Sequence, residues 1–347
     1  MRPRATREEL ESVFGILREQ GVSALTSTLD DIALLVTEHG GTPELVSAVE
    51  NAPGVDRVIV VKGAQRLTSR AFRAENTEVK VGPAGEAVIG GTGFTVIAGP
   101  CAVEGRDQMF ASVDAVVAGG ATMIRGGAFK PRTSPYSFQG MGLAGLALLA
   151  EQRGRTGLPV VTEVVAPGDV ECVAEESDML QIGTRNMQNF ELLRAAGASG
   201  KPVLLKRGMA ATIEEWLLAA EYVMQAGNGD VVLCERGIRS YDRSTRFTLD
   251  LSAVAEAKRL THLPVLVDPS HSTGRPHLVG PMSLAAASCG ADGLLIDVHT
   301  DAGNALCDGA QALSEEEFGA LMARLKPVVE AVGRTLPTDR VRPLAQV

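Results

Sequence analysis

Residues 263–274 read LPVLVDPSHSTG, and this stretch indicates how the chain folds. A short apolar run leads into Asp268-Pro269-Ser270-His271, and a turn of small residues follows. A buried parallel strand has this composition where it delivers polar groups to the loop at its carboxyl end. Several other apolar runs in the chain end in polar side chains in the same way. The question is whether these strand ends lie together at one site.

Apolar segments of strand length alternate with segments of helical periodicity from residue 94 to residue 330. The strand candidates are 94–98, 121–125, 159–163, 179–182, 202–206, 231–234, 264–268 and 293–297. The helical candidates are 107–118, 141–153, 168–176, 188–196, 211–225, 250–260, 280–288 and 314–331. Eight such repeats match a (β/α)8 TIM barrel, which has about 250 residues. A doubly wound open sheet is the structural alternative, and it is disfavoured because no Gly-x-Gly-x-x-Gly turn follows the first strand.

The residues before the barrel predict a small α+β unit with the order αββαβ, a ferredoxin-like domain without its first strand. Its two helices start after the N-cap residues Thr6 and Thr42. The predicted strands are 22–29 and 32–37, with a turn at Asp30-Asp31 between them, and Val58-Ile59-Val60-Val61. The predicted domains are 1–70 for this unit, 71–93 for a linker with a β-hairpin, 94–335 for the barrel and 336–347 for a tail. The small unit is either a stabilising or oligomerising cap, or a regulatory module.

The composition restricts the class of protein. The formal net charge is −9, from 33 basic and 42 acidic residues, which argues against a nucleic-acid surface. No apolar run is long enough for a membrane span, and the charged N-terminus lacks the apolar segment of a signal peptide. The five cysteines are widely spaced and odd in number, which indicates a reducing compartment rather than a disulfide framework. We therefore expect a cytoplasmic protein without a membrane or nucleic-acid partner.

The functional side chains of such a barrel lie on the loops that follow its strands. Here those loops carry two sets of groups, with Glu163 and Asp268 as additional carboxylates. The first set suits a divalent cation of borderline softness, and it consists of Cys101, His271, Asp297 and Asp308. The second set suits the phosphates and carboxylates of substrates, and it consists of Arg125, Lys130, Arg132, Arg185, Lys206 and Arg236.

Each of these residues has a simpler explanation when it is taken alone. A cation after a strand is usually a solvated loop residue, and a single cysteine at a strand end is usually a small buried side chain. We accept such explanations for residues outside the pattern, which are Cys172, Cys289, His39, His262 and His277. They are insufficient for the two sets, because every member falls at the same end of the predicted barrel.

Five motifs stand in the order in which a known enzyme family has them. They are Gly99-Pro100-Cys101, Lys130-Pro131-Arg132-Thr133-Ser134-Pro135, Ile182-Gly183-Thr184-Arg185-Asn186-Met187-Gln188, Cys234-Glu235-Arg236-Gly237-Ile238-Arg239 and Asp268-Pro269-Ser270-His271-Ser272. With them, nearly the whole chain resembles the 3-deoxy-arabino-heptulosonate 7-phosphate (DAHP) synthases, in the subfamily with an N-terminal ferredoxin-like domain. The sister enzymes, 3-deoxy-manno-octulosonate 8-phosphate synthases, typically have Lys-Ala-Asn-Arg in place of Lys130-Pro131-Arg132-Thr133. This difference favours the four-carbon sugar here.

The resemblance implies a transferase of the shikimate pathway to aromatic amino acids, in which phosphoenolpyruvate condenses with erythrose 4-phosphate and phosphate is released. The catalytic residues would be Lys130, His271, Cys101 and Glu163. The residues that bind phosphoenolpyruvate would be Arg125, Lys130, Arg185, Lys206 and Arg236. Those that bind erythrose 4-phosphate would be Arg132, Thr133, Ser134 and Asp268.

The resemblance also implies one divalent metal ion, held by Cys101, His271, Asp297 and Asp308. Mn²⁺ is expected first, and Co²⁺, Fe²⁺ and Zn²⁺ are the alternatives. The ion would polarise the aldehyde, and Lys130 would donate a proton to the nascent alkoxide. A Schiff-base aldolase with Lys130 or Lys206 as its nucleophile is the rival on this fold, but it leaves the metal ligands without a role. A homotetramer or homodimer is expected from the same resemblance.

One residue departs from the family pattern. The family usually has Glu-Val-His after the eighth strand, and this chain has Asp297-Val298-His299. Aspartate is shorter by a methylene group and still binds divalent ions, so the change bears on metal affinity or preference. Two alternatives to the expected activity stay open. One is a paralogue similar to the octulosonate synthases, and the other is a catalytically inactive barrel that acts as a partner protein.

Overall fold

The computed structural model of the chain describes residues 1–29, 32–37, 41–61 and 63–337. The N-terminal unit consists of α1 (Arg7–Glu19), β1 (Ala24–Leu29), β2 (Ile32–Thr37) and α2 (Pro43–Glu50), and the two strands pair antiparallel. As predicted, Thr6 and Thr42 cap the helices, since their hydroxyl groups accept hydrogen bonds from backbone N–H groups of the first turns. The predicted turn at Asp30-Asp31 and His39 lie outside the described residues.

The predicted strand at residues 58–61 is wrong. This segment has the β-branched composition of a strand, but it joins no sheet within the described part of the chain. Together with residues of α1, α2 and β2 it lines an apolar cavity of about 350 Å³. β-Branched residues form a strand only where the N–H and C=O groups of a partner are within reach, and here apolar side chains make the contacts. The N-terminal sheet therefore has the two strands β1 and β2.

A short hairpin covers one end of the barrel. Strands β3 (Val79–Val81) and β4 (Ala87–Ile89) pair antiparallel, and their buried side chains belong to the same apolar cluster as the barrel interior. Thr95, at the start of the first barrel strand, donates a hydrogen bond to the Val88 carbonyl at 3.1 Å. The hairpin predicted over this region therefore lies at the amino ends of the strands, opposite the loops that carry the functional groups. The proposed domain boundaries stay predictions.

Eight parallel strands close into a barrel, which confirms the predicted fold. These strands, β5 to β12, are Thr95–Gly99, Met123–Arg125, Val160–Val164, Met179–Ile182, Val203–Lys206, Val231–Glu235, Val265–Val267 and Gly293–Asp297. Their order around the barrel follows the chain, and β12 pairs with β5. Alternation along the strands places at least one side chain of each strand in the interior, for example Ile97, Met123, Val161 and Leu204.

The helices alternate with the strands and lie outside the barrel. Helices α3 to α11 are Arg106–Ala118, Leu143–Thr156, Val170–Glu176, Phe190–Ala198, Ile213–Gln225, Leu251–Leu260, Pro269–Thr273, Pro276–Ser288 and Glu315–Ala331. The sequence did not predict α9, the short helix at Pro269–Thr273, which occupies what was expected to be a turn. No helix in the described ranges is both long and apolar enough to cross a bilayer.

A buried histidine holds the linker against the barrel. His262 Nε2 donates to the Leu67 carbonyl at 2.7 Å, because a carbonyl only accepts, and Nδ1 then accepts from the Thr77 hydroxyl at 2.7 Å. Burial lowers the pKa of His262 to about 4, and the charges of Arg73 and Arg70 act in the same direction. The simple interpretation of His262 as a structural residue is therefore correct.

This histidine predicts a pH dependence of stability. Between pH 6.5 and pH 4 the unfolded chain takes up a proton at His262 that the folded chain excludes, so stability falls as the pH falls through this window. The loss from this group is on the order of 3 kcal/mol. Urea unfolding at neutral pH and near pH 4 is expected to show a smaller pH effect for His262→Gln than for the wild type. The exposed His277→Gln is the control, and equal pH effects in wild type and His262→Gln would refute the assignment.

Candidate active site

The loops at the carboxyl ends of the barrel strands surround a polar cavity of about 240 Å³. The predicted site residues that line it are Arg125, Lys130, Arg132, Thr133, Ser134, Glu163, Arg185, Lys206, Arg236, His271 and Asp308. The remaining three, Cys101, Asp268 and Asp297, lie behind its wall, where each contacts a lining residue. The barrel thus brings both predicted sets of groups to one mouth.

The segment after β11 folds into a turn that orients His271. Asp268 is the N-cap of α9, and its Oδ1 accepts the His271 backbone N–H at 2.8 Å. Pro269 occupies the first helical position, where a backbone N–H would have no partner within the helix, so its absence costs no hydrogen bond. The turn also brings His271 Nδ1 within 2.9 Å of Asp268 Oδ2. The carboxylate therefore holds Nδ1, and Nε2 faces the other polar groups.

The donor atoms of Cys101, His271 and Asp308 lie close together. Cys101 Sγ lies 3.5 Å from this nitrogen and 3.3 Å from Asp308 Oδ2, and the nitrogen lies 3.6 Å from the same carboxylate oxygen. Among the described residues, these three offer sulfur, nitrogen and oxygen atoms close enough to share one ion. A thiolate, an imidazole and a carboxylate suit a divalent ion of borderline softness. The residues present therefore fit a metal ion.

The pKa of each of these groups is shifted by the others and by burial. A hydrogen bond from Cys307 and the charge of Lys130 outweigh burial and hold the pKa of Cys101 well below its usual range. Burial lowers the pKa of His271, but the Asp268 carboxylate reverses this effect, and the pKa is raised overall. Burial raises the pKa of Asp308, but its contact with His271 lowers it overall. A metal ion would thus compete with a proton at His271, so metal affinity is expected to fall in acid.

Asp297, the fourth predicted ligand, lies beside this cluster and outside it. Its carboxylate forms a buried ion pair with Arg125, and its Oδ2 accepts a hydrogen bond from Gln311 Nε2 at 2.6 Å. The same oxygen is 3.5 Å from His271 Nδ1, on the side of the ring that faces away from the other donors. The short aspartate side chain keeps the carboxylate close to the end of β12. Its role as a metal ligand stays a prediction.

Lys130 contacts the cluster through Cys101. Its Nζ donates to the Cys101 carbonyl at 3.0 Å and lies 3.2 Å from Cys101 Sγ. Burial lowers the pKa of Lys130, but the Cys101 thiolate and Glu163 reverse this effect and raise it overall. A protonated ammonium donates protons and does not attack carbonyl groups as an amine. This geometry favours Lys130 as a proton donor over the Schiff-base alternative.

Two arginines of the cationic set are buried with free donors. Arg236 lies over the ring of Phe247, 4.3 Å from its centre. Its NH1, and Nε of Arg125, have no hydrogen-bond partner within the described residues. Buried N–H groups normally find an acceptor, and substrate oxyanions would supply one here. Lys206, in contrast, already pairs with Asp268 at 2.6 Å.

The predicted sugar-phosphate segment lies in the loop between β6 and α4. Thr133 Oγ1 accepts a hydrogen bond from Arg185 NH2 at 3.1 Å, so this loop touches the predicted phosphoenolpyruvate set. Glu163 faces the same cavity and accepts from Gln181 Nε2 at 3.3 Å. A Cβ at position 183 would meet the Glu163 carboxylate, which would have to shift. The substrate assignments of these residues stay predictions.

Sequence reasoning missed three residues at the site: Arg246, Gln311 and Cys307. Arg246 NH1 donates to Asp308 Oδ1 at 3.1 Å and to Gln311 Oε1 at 2.9 Å. Because Gln311 Nε2 also donates to Asp297 Oδ2, the Gln311 amide connects Asp297 to Asp308 through Arg246. Arg246 and Cys307 lie in long loops, well beyond a strand end, so no strand-end signal marks them. For Gln311 the only signal is its spacing of three residues from Asp308.

The model of the DAHP synthetase I family matches residues 75–331 of the chain. Phospho-2-dehydro-3-deoxyheptonate aldolase of Thermotoga maritima is 42% identical over 333 residues, which cover 96% of this chain and 98% of that protein. The 2-dehydro-3-deoxyphosphooctonate aldolase of Desulfatibacillum aliphaticivorans is 32% identical over 259 residues, 70% of this chain and 94% of that protein.

Solved structures give the same result. The crystal structure of the T. maritima DAHP synthase has a TM-score of 0.76 and 41% identity, and the match covers 96% of this chain and 97% of that chain. A truncated form of 3-deoxy-D-arabino-heptulosonate 7-phosphate synthase from T. maritima has a TM-score of 0.73 and 46% identity, and the match covers 79% of this chain and all of that one. From its sequence and its fold alike, the chain belongs to the DAHP synthetase I family.

Proposed function

We propose that the chain is a metal-dependent DAHP synthase, a transferase at the entry of the shikimate pathway. It joins phosphoenolpyruvate and erythrose 4-phosphate with a water molecule to give DAHP and inorganic phosphate. One observation carries this proposal: a Cys-His-Asp donor cluster and buried, unpaired arginine donors face the same cavity at the barrel mouth. Neither feature alone distinguishes an enzyme from a binding protein, but a two-anion condensation uses both.

The cationic residues bind and orient the substrates. Arg125, Lys130, Arg185, Lys206 and Arg236 would hold the phosphate and carboxylate of phosphoenolpyruvate, and their charges offset the repulsion between two anions in one cavity. The phosphate of erythrose 4-phosphate would bind the loop segment with Arg132, Thr133 and Ser134. The hydrogen bond from Arg185 to Thr133 supports this assignment, since it connects one residue of each proposed anion site.

The donor cluster would hold the metal ion through Cys101 Sγ, His271 Nε2 and Asp308 Oδ2. A bound divalent ion supplies Lewis-acid polarisation of the aldehyde carbonyl. Asp268 binds His271 Nδ1, which holds the ring with Nε2 near Cys101 Sγ and Asp308 Oδ2, where it would be available to an ion. Mn²⁺ is the ion expected from the family, and Co²⁺, Fe²⁺ and Zn²⁺ are the alternatives.

Lys130 and Glu163 would transfer a proton and position a water molecule. As C3 of phosphoenolpyruvate attacks the aldehyde carbon, Lys130 Nζ donates a proton to the forming alkoxide. Glu163, which lines the cavity and accepts a hydrogen bond from Gln181, would position the water that adds at C2. Phosphate then leaves with cleavage of its bond to C2, and Arg236 with Lys206 would stabilise its charge.

The substrate test compares two aldoses. Phosphate release from phosphoenolpyruvate is measured with erythrose 4-phosphate and with arabinose 5-phosphate, because the octulosonate relatives share most of the barrel. We expect turnover with the four-carbon sugar and little with the five-carbon one. Turnover with arabinose 5-phosphate alone would overturn the proposal.

A chelator titration tests the metal and the inactive-barrel alternative. We expect activity to disappear when the ion is removed and to return on addition of Mn²⁺. Full activity after complete metal removal would contradict metal dependence, and no activity with any divalent ion would favour the inactive barrel. A homo-oligomer, either dimer or tetramer, and a cytoplasmic location stay predictions from the family.

The position of Asp297 gives a further prediction. Asp297→Glu adds one methylene group, which lets the carboxylate reach towards the donor cluster while it stays paired with Arg125, so Mn²⁺ affinity is expected to rise several-fold. Isothermal titration of the metal-free protein with Mn²⁺ measures the change, and Asp301→Glu in the neighbouring exposed loop is the matched control. A large loss of both affinity and activity in Asp297→Glu would mean that the pocket is built for the shorter side chain.

A further inference from the structure

A thiol without an assigned role lies at the edge of the donor cluster. Cys307 Sγ is 3.6 Å from Cys101 Sγ and 3.8 Å from Asp308 Oδ2. It is only 4% exposed and lines the active-site cavity. Its packing cluster contains Cys101 and Ala102 and is separate from the main core. The side chain is therefore part of the site and not a filler of the hydrophobic core.

The loop around Cys307 is held by contacts on both sides. The Leu306 backbone N–H donates to Glu104 Oε1 at 2.9 Å. Asp308 has a φ of +55°, in the left-handed region that side chains rarely adopt, and Arg246 binds its Oδ1. This arrangement turns the adjacent side chains of Cys307 and Asp308 to the same side, where both meet Cys101.

Asp297 does not occupy the position next to Cys101. Asp297, which the family pattern would place in the ligand set, is engaged by Arg125 and by Gln311 instead. Moving its carboxylate towards Cys101 would leave the buried guanidinium of Arg125 without its ion pair, which is costly in a desolvated site. Cys307 is neutral in its contacts with Cys101 and Asp308, so its turning to an ion would leave no buried charge without a partner.

We propose that Cys307 is a ligand of the metal ion and forms with Cys101, His271 and Asp308 a set of two sulfurs, one nitrogen and one oxygen. This inference rests on the proposed metal dependence of the enzyme. Four protein donors of this kind are typical of Zn²⁺ and Co²⁺ sites, whereas Mn²⁺ prefers oxygen ligands. The second thiolate would therefore shift the preference of this chain towards softer ions.

Cobalt spectroscopy counts the thiolates directly. The metal-free protein, kept reduced with a phosphine, is loaded with one equivalent of Co²⁺, and the thiolate-to-cobalt charge-transfer absorbance is recorded. We expect Cys307→Ser and Cys307→Ala to have about half the wild-type absorbance, because one of two Co–S bonds is lost. Cys289→Ser, at the half-buried C-cap of α10 away from the site, should keep the full absorbance.

Competition with a chelator gives a second readout. Changes around a metal ligand alone lower affinity by about 10- to 100-fold, so loss of a ligand should lower Zn²⁺ affinity at least about tenfold. Mn²⁺ affinity should change less. Equal absorbance and equal Zn²⁺ affinity in wild type and Cys307→Ser would overturn this inference. Wild-type turnover with erythrose 4-phosphate tests the proposed function separately, since it does not depend on which thiols bind the ion.

Discussion

Replacing His271 with alanine is expected to remove tight metal binding and to lower kcat/KM by at least about 1,000-fold, since Lewis-acid activation contributes several kcal/mol. His271 Nε2 is one of three converging donor atoms, 3.5 Å from Cys101 Sγ and 3.6 Å from Asp308 Oδ2. Without the imidazole, the thiol and the carboxylate have no nitrogen donor between them.

Metal content by elemental analysis and steady-state kinetics with both substrates measure this loss. His277→Ala, an exposed histidine in α10, is the matched control and should keep wild-type metal content and activity. His271 is buried, so its replacement could also disturb folding. A thermal unfolding scan of the variant separates a loss of metal binding from misfolding. Activity of His271→Ala similar to wild type in metal-stripped buffer would contradict the ligand assignment.

Replacing Lys130 with methionine is expected to lower kcat by about 100- to 10,000-fold, the usual contribution of a positioned proton donor. Methionine keeps most of the side-chain volume and removes the ammonium group that lies 3.2 Å from Cys101 Sγ. The effect should fall on kcat more than on the KM for either substrate, because other cations bind the phosphates. Metal content should change far less than in His271→Ala.

Lys201→Met is the matched control, because this lysine lies near the opposite end of the barrel and donates to the Ser177 carbonyl at 2.9 Å. Borohydride added during turnover distinguishes the rival mechanism. A reduced substrate adduct on Lys130 would establish a Schiff base and refute the proton-donor role. Absence of an adduct, together with a kcat defect, supports the assignment.

Much of the barrel could be predicted because its signals are local. A strand buried on both faces reads as a short apolar run, and a helix repeats its apolar residues about every 3.6 positions. The predicted strands therefore agree with the observed ones to within one or two residues, as in 293–297 for Gly293–Asp297. Residues 58–61 have the same local signal but do not pair, because pairing requires a neighbouring strand that the signal does not supply.

The candidate site was predictable to the extent that it follows from the barrel. Parallel strands present their carboxyl ends at one mouth, so Cys101, Lys130 and His271 had to lie near one another. The strand pattern does not say which hydrogen bonds these residues form, and only the structure shows them. The pairing of Asp297 with Arg125 joins the ends of β12 and β6, and these strands are not adjacent but flank β5.

The sequence by itself determined the barrel, the end at which chemistry occurs, and the residue types present there. The tertiary structure alone decided which side chains face each other: the engagement of Asp297 by Gln311, and the approach of Cys307 to Cys101. The physical reason is the range of the interactions. Strand and helix patterns arise from neighbours a few residues apart, whereas the contacts of a loop side chain depend on groups 200 positions away, such as Cys101 for Cys307, with a separation of 206.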